Sequence, residues 1–230
     1  VLGVTSNRNR LVNGLVATAI QHELDGINID FEHVTKDTAP AYLEFLRELT
    51  LKCHANDLIV SVDNYSPASY NAYYDLEEQG RIVDYVILMA YDEHYAGGEA
   101  GSVSSISYVE NGITDTLKYV PASKTVCALP FYTRVWTESG NETSSSALGI
   151  QGAKQWIEDN QVELYWQEEL GQYYGSIQKD DAVKEIWMEE ETSLGLKMNL
   201  ISKYQLAGAA FWKLGFEPAS VWDVCKISDK

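Results

Sequence analysis

The chain has 230 residues and is 45% hydrophobic, enough to bury a full core as one domain or as one domain carrying an insertion. Its 34 Asp and Glu against 17 Lys and Arg give a formal net charge of -17 with no basic run, which excludes nucleic acid and anionic membrane surfaces as partners. No apolar stretch approaches the roughly 18 residues that cross a bilayer, and Cys53, Cys127 and Cys225 lack CxxC or His-rich spacing, so they read as buried free thiols rather than a disulfide framework or a zinc site.

The chain opens Val1-Leu2-Gly3-Val4-Thr5-Ser6 with neither a Met nor a basic segment ahead of an apolar one, and is read as a processed or trimmed product. Short apolar runs then alternate with amphipathic stretches, the pattern of parallel strands with helices between them. The predicted strands are residues 1–6, 26–32, 58–64, 85–92, 125–132 and 208–214. Helices are predicted over 10–24, where Val12, Leu15, Val16 and Ala19 share a face, and over 39–55, with Tyr42, Phe45, Leu46 and Leu49. Residues 147–204 hold further helical stretches at 152–160 and 193–204 around a Trp/Tyr-rich patch and read as an inserted subdomain. The rest, 1–146 and 205–230, reads as the main domain. Periodicity alone leaves two architectures open, an open doubly wound sheet or a TIM (β/α)8 barrel lacking its first two strands. No Gly-rich phosphate loop follows any strand, which counts against the nucleotide-binding form of the first. In the second, the strands at 1–6 and 208–214 would each expose an unpaired edge.

The segment Leu24-Asp25-Gly26-Ile27-Asn28-Ile29-Asp30-Phe31-Glu32 alternates polar and apolar residues, so Asn28, Asp30 and Glu32 project to one side of a strand and Ile27, Ile29 and Phe31 to the other. A strand between two amphipathic helices should be apolar on both faces, so acids there demand a reason other than solvation. Two carboxylates two residues apart on a strand lie about 6–7 Å from each other, close enough for one charge to raise the other's pKa.

This segment resembles the catalytic signature of glycoside hydrolase family 18, Asp-x-x-Asp-x-Asp-x-Glu at the end of the fourth barrel strand. Asn28 stands where that family usually has a second Asp. It keeps hydrogen bonding but cannot hold or share a proton with Asp30. Three further stretches are similar to the family's in the same order: Met89-Ala90-Tyr91-Asp92, Pro130-Phe131-Tyr132-Thr133-Arg134 (with Thr133 in place of Gly), and the final strand through Phe211 and Trp212. The stretch Tyr91-Asp92-Glu93-His94 and the Trp187-Met188-Glu189 run ahead of Ser193 and Lys197 most resemble bacterial peptidoglycan-directed members, including spore cortex-lytic enzymes.

The resemblance implies a TIM barrel with a small α+β insertion and a retaining, substrate-assisted glycosidase of glycans containing N-acetylglucosamine, peptidoglycan or chitin-type. Carboxylate spacing alone would place the pair near the inverting range and leaves the stereochemistry open. Glu32 is implied as proton donor, Asp30 as the residue that orients and stabilises, and Tyr91 as the residue positioning the acetamido group. Asn28, Met89, Asp92, Tyr132, Arg134 and Trp212 are implied as glycan contacts. No metal or cofactor is called for, and an extracellular, cell-wall or spore setting follows. Each residue has a plainer reading. Met89 and Phe211 suit a core, Tyr91 and Trp212 could be core with a satisfied polar tip, and Asp92, Glu93 and His94 could form a solvated loop. The rival function is a lectin-like binder on the same scaffold, which would usually lack the acid that Glu32 supplies.

Overall fold

The computed structural model describes residues 1–179 and 181–226; residues 227–230 of the predicted main domain lie outside them. The chain divides into two compact units, 1–89 with 113–126, and 90–112 with 127–230.

The first unit runs α1 (Thr5–Gln21), β1 (Gly26–Ile29), α2 (Ala39–His54), β2 (Ile59–Tyr65), α3 (Leu76–Ile82) and β3 (Tyr85–Met89). The strands are parallel and pair β1 to β2 and β2 to β3, with Asn28 opposite Ser61 and Asp63 opposite Ile87. Val12, Val16 and Ala19 of α1 and Tyr42, Phe45, Leu46, Leu49 and Cys53 of α2 recur at helical spacing and pack with Ile29, Val60, Val62 and Val86 of the strands into one core. Pro40 sits in the first turn of α2, where its missing N–H has no intrahelical partner to lose. At Gly26 a Cβ would lie 2.5 Å from the Ile59 carbonyl oxygen, so only glycine lets β1 and β2 approach this closely.

The predicted strand at 1–6 is absent. Val4 donates back to the Val1 carbonyl (3.3 Å), and α1 starts already at Thr5. Val1 and Val4 are 80% and 53% exposed and Leu2 alone of the segment's large apolar residues packs on the core, so its alternating face is not buried as a strand's would be. Four other predicted strands, those at 26–32, 85–92, 125–132 and 208–214, stop two or three residues early, two of them at the candidate site. β1 ends at Ile29 and β3 at Met89, so Asp30, Phe31, Glu32, Tyr91 and Asp92 all lie just past a strand's C-terminal end. Asp92 adopts φ 58°, a left-handed conformation incompatible with an extended ladder.

The unit boundary falls inside α4 (Ile106–Thr116) and again inside β4 (Thr125–Pro130). The second unit then continues through β5 (Tyr132–Ser139), β6 (Glu142–Gly149), α5 (Ile150–Asn160), β7 (Leu164–Gln167), β8 (Gln172–Lys179), β9 (Ala182–Met188), α6 (Glu191–Lys203) and β10 (Gly208–Trp212). An antiparallel sheet of order β6-β5-β9-β8-β7 dominates it and begins at Tyr132. The Phe131 N–H donates to the Trp212 carbonyl (2.7 Å), tying the end of β4 to β10. Buried beneath α6 is a polar cluster in which the Glu189 carboxylate accepts from Lys197 Nζ, from Ser193 Oγ (2.6 Å) and from Gln172 Nε2 (3.0 Å). Cys53 and Cys127 are free and buried as predicted, whereas Cys225 is only half-buried.

Candidate active site

The residues named from the motifs divide between the units: Asn28, Asp30, Glu32 and Met89 in the first, Tyr91, Asp92, Tyr132, Arg134 and Trp212 in the second.

In the first unit, alternation carries Asn28, Asp30 and Glu32 to one side, all exposed, while Ile29 and Phe31 turn into the core. The Phe31 ring stacks on Phe45 (5.6 Å between centroids) and Tyr42 (5.8 Å), so an apolar anchor sits between the two acids. The backbone there is held from β2 and the segment after it as well. Tyr74 Oη donates to the carbonyls of Phe31 (3.2 Å) and Glu32 (3.1 Å), and Tyr65 Oη reaches both the Glu32 carbonyl and Glu32 Oε2 at 3.3 Å. Met89, at the end of β3 opposite Tyr65, is buried.

Asn28 sits in a short relay. Its Oδ1 accepts from Ser61 Oγ (2.7 Å) and its Nδ2 donates to Asp63 Oδ2 (2.9 Å). Asp63 itself was missed in the sequence. Its pKa is pushed up to about 6, chiefly by burial and further by the charges of Asp30 and Glu32, against a lowering by the Asn28 hydrogen bond. The signal was available, because the period of two along β2 sets Ser61, Asp63 and Tyr65 on one side, the same side of the ladder as Asn28.

In the second unit Tyr132 is buried and donates from Oη to Asp92 Oδ1. Burial and that carboxylate both raise the Tyr132 pKa, so the hydroxyl stays a donor. Its ring meets those of Tyr91 (6.3 Å) and Trp212 (5.3 Å) edge-on. Trp212 is 45% exposed, leaving an apolar face open, with Lys213 Nζ 5.7 Å from its centroid. Arg134 Nη1 donates to Ser145 Oγ (3.2 Å), while its Nε is buried without a partner among the described residues. Thr133 is buried and donates to the Trp187 carbonyl, a tie from β5 to β9 that a glycine could not make. Glu93 and His94 serve the loop: Glu93 accepts from Ser105 N (2.8 Å) and Ser105 Oγ (3.1 Å) at the start of α4, and His94 Nδ1 lies 3.0 Å from the Glu99 carbonyl.

Solved structures share this fold. A chitinase from Chromobacterium violaceum ATCC 12472 superposes with TM-score 0.89 at 24% identity over 96% of this chain and 71% of its own. The spore cortex-lytic enzyme SleL of Bacillus megaterium QM B1551 gives TM-score 0.88 at 24% identity, over 100% of this chain and 56% of its own. The fold is therefore a partial (β/α)8 barrel, represented here by five strands, β1 to β4 and β10, with an antiparallel sheet inserted. The pattern of glycosyl hydrolases family 18 matches residues 1–217, and the chain belongs to that family. The cortical fragment-lytic enzyme of Bacillus subtilis (strain 168) is 30% identical over 225 residues, covering 94% of this chain and 52% of that protein. The chain thus spans about half the length of that relative.

Proposed function

We propose that the protein is a retaining glycosidase that cleaves β-linked N-acetylglucosamine glycans, the substrate's own acetamido group serving as nucleophile. The observation that carries the reading is the exposed Glu32 carboxyl just past the end of β1, held through Tyr65 Oη in a chain of family 18. Glu32 gives its proton to the glycosidic oxygen as the C1–O bond breaks. The acetamido carbonyl oxygen then bonds C1 to form an oxazolinium ion. Asp30 accepts from the acetamido N–H and stabilises the cation. Water attacks C1 as its bond to the acetamido oxygen breaks and the amide is regenerated; the water gives a proton to the Glu32 carboxylate, and the original configuration is restored.

On this reading Tyr91 positions the acetamido group, and Asp92, fixed by Tyr132, binds a sugar hydroxyl. Trp212 offers an apolar face, Met89 closes the end of β3, and Asn28 and Arg134 supply further polar contact. The likeness to the cortical fragment-lytic enzyme and to the SleL fold supports peptidoglycan as the substrate and a spore or cell-wall setting for the protein. The experiment is product analysis. Purified protein is incubated separately with peptidoglycan, with chitin oligomers and with their de-N-acetylated forms. New N-acetylglucosamine reducing ends from acetylated substrate alone are expected. Equal rates on the de-N-acetylated form, or a covalent sugar on Asp30, would overturn the substrate-assisted mechanism.

A further inference from the structure

Beside the three residues of the signature stands a carboxyl that the sequence motif does not contain. The parallel ladder pairs Asn28 with Ser61 and Ile29 with Val62, so the next step sets Asp30 beside Asp63 across about 4.8 Å of strand spacing. Asp63 Oδ2 is occupied by the Asn28 amide (2.9 Å). Its Oδ1 is buried and has no partner among the described residues. A buried acceptor left without a donor is unfavourable, whereas a carboxylic acid O–H at the same atom is a donor in search of an acceptor.

The titratable groups around it are carboxyls and tyrosines, with no cation acting on it among the described residues. Asp30 and Glu32 come from the end of β1, and Tyr42 comes from α2 with its own Oη buried and without a partner among the described residues. Tyr65 and Tyr74 are occupied with Glu32. The facing residue on β3 is Ile87. A negative charge at Asp63 would thus be desolvated by burial and disfavoured by the neighbouring carboxyls.

We propose that Asp63 is a positioning residue that carries a proton on Oδ1 and donates it as a hydrogen bond to Asp30, so that the two carboxyls share one proton in the working enzyme. The inference rests on the glycosidase reading above. The proton that Asn28 cannot hold is moved to the neighbouring strand, and the Asn28 amide, itself oriented by Ser61, selects Oδ1 as the protonated oxygen. No proton leaves the pair during turnover. Below about pH 6 the pair bears one negative charge; above it the proton passes to solvent, and Asp30 loses its donor.

The test compares wild type with Asp63→Asn, which keeps a permanent donor of the same shape, and with Asp63→Ala. Two readouts are used: kcat and KM on an N-acetylated oligosaccharide from pH 4.5 to 8, and infrared difference spectra of the carboxylic C=O band over the same range. We expect Asp63→Asn to keep kcat within about threefold at pH 5 and to lose the inflection near pH 6. Asp63→Ala should lose about 10- to 100-fold in kcat with KM little changed, the scale of one hydrogen bond to a charged group. The infrared band should titrate near pH 6 in wild type and be missing from Asp63→Asn. Superimposable pH profiles for wild type and Asp63→Asn, an Asp63→Asn loss as deep as that of Asp63→Ala, or no titrating band in wild type would each overturn the proposal. If wild type cleaves no N-acetylated glycan, it is the glycosidase reading that falls, and the infrared titration still decides whether Asp63 holds the proton.

Discussion

A buried carboxyl in one unit and a half-buried one in the other are treated in opposite ways. Glu189, in the second unit, is fully buried and surrounded by donors: Lys197, Ser193 and Gln172, with Gln172 in turn accepting from Ser102 Oγ. Burial raises its pKa and Lys197 opposes that rise. Asp63, in the first unit, has one amide donor, an orphaned oxygen and two like-charged neighbours. The first arrangement fixes α6 against β9 with every polar atom of the carboxylate used. The second leaves a carboxyl poised to titrate beside exposed acids. A satisfied buried charge is a structural device, and an incompletely satisfied one at a strand end is a chemical device.

The sharpest way to break this contrast is at the exposed acid. Glu32→Gln removes the proton donor and keeps the shape, so kcat is expected to fall about 10³-fold or more while glycan binding survives. Turnover close to wild type on a substrate with a poor leaving group would remove Glu32 from the chemistry. On the structural side, Lys197→Met leaves the Glu189 carboxylate buried without its cation and should cost about 3–5 kcal/mol in urea unfolding, with activity per folded molecule unchanged. Adding Glu189→Met to the same chain removes the stranded charge and should recover part of the loss. A single variant as stable as wild type would show that the cluster is not holding α6.

Much of this was legible in the sequence. The helical faces at Val12-Val16-Ala19 and Tyr42-Phe45-Leu49 and the acid alternation through Glu32 follow from periodicity, which local physics enforces. Residues 1–6 failed because an apolar run says nothing about whether any surface is available to bury it. Asp63 failed for another reason. It looked like an ordinary polar position until strand register placed it beside Asp30, and register is a relation between segments that no single segment encodes. Tyr65 and Tyr74 were passed over on the same ground, since a hydroxyl's partner 33 or 42 residues away leaves no local trace.

Asp63 also supplies a stability measurement of intermediate size. Its folded pKa of about 6 lies above the ordinary 3.8, so between those values the native state binds more protons than the unfolded one. The stabilisation is therefore complete below about pH 3.8 and lost as pH rises through about 6. The ceiling is about 3 kcal/mol, less for a group that is only half-buried. Wild type should lose stability relative to Asp63→Asn between pH 4 and 7. A difference that stays flat across that range would mean the carboxyl is ionised throughout.

The smallest effect expected separates the two tyrosines that hold the Glu32 segment. Tyr74 Oη donates to backbone carbonyls, at 3.1 and 3.2 Å, so Tyr74→Phe should cost about 1 kcal/mol of stability and leave kcat per folded molecule where it was. Tyr65 Oη reaches the Glu32 carboxylate itself. That hydrogen bond orients the acid toward the scissile bond, so Tyr65→Phe should lower kcat by about two- to fivefold with little change in melting temperature. The distinction is sharp because the two hydroxyls differ in one respect, the atom they donate to. If Tyr65→Phe and Tyr74→Phe alter stability and kcat alike, the Tyr65 contact is holding the chain and not the acid.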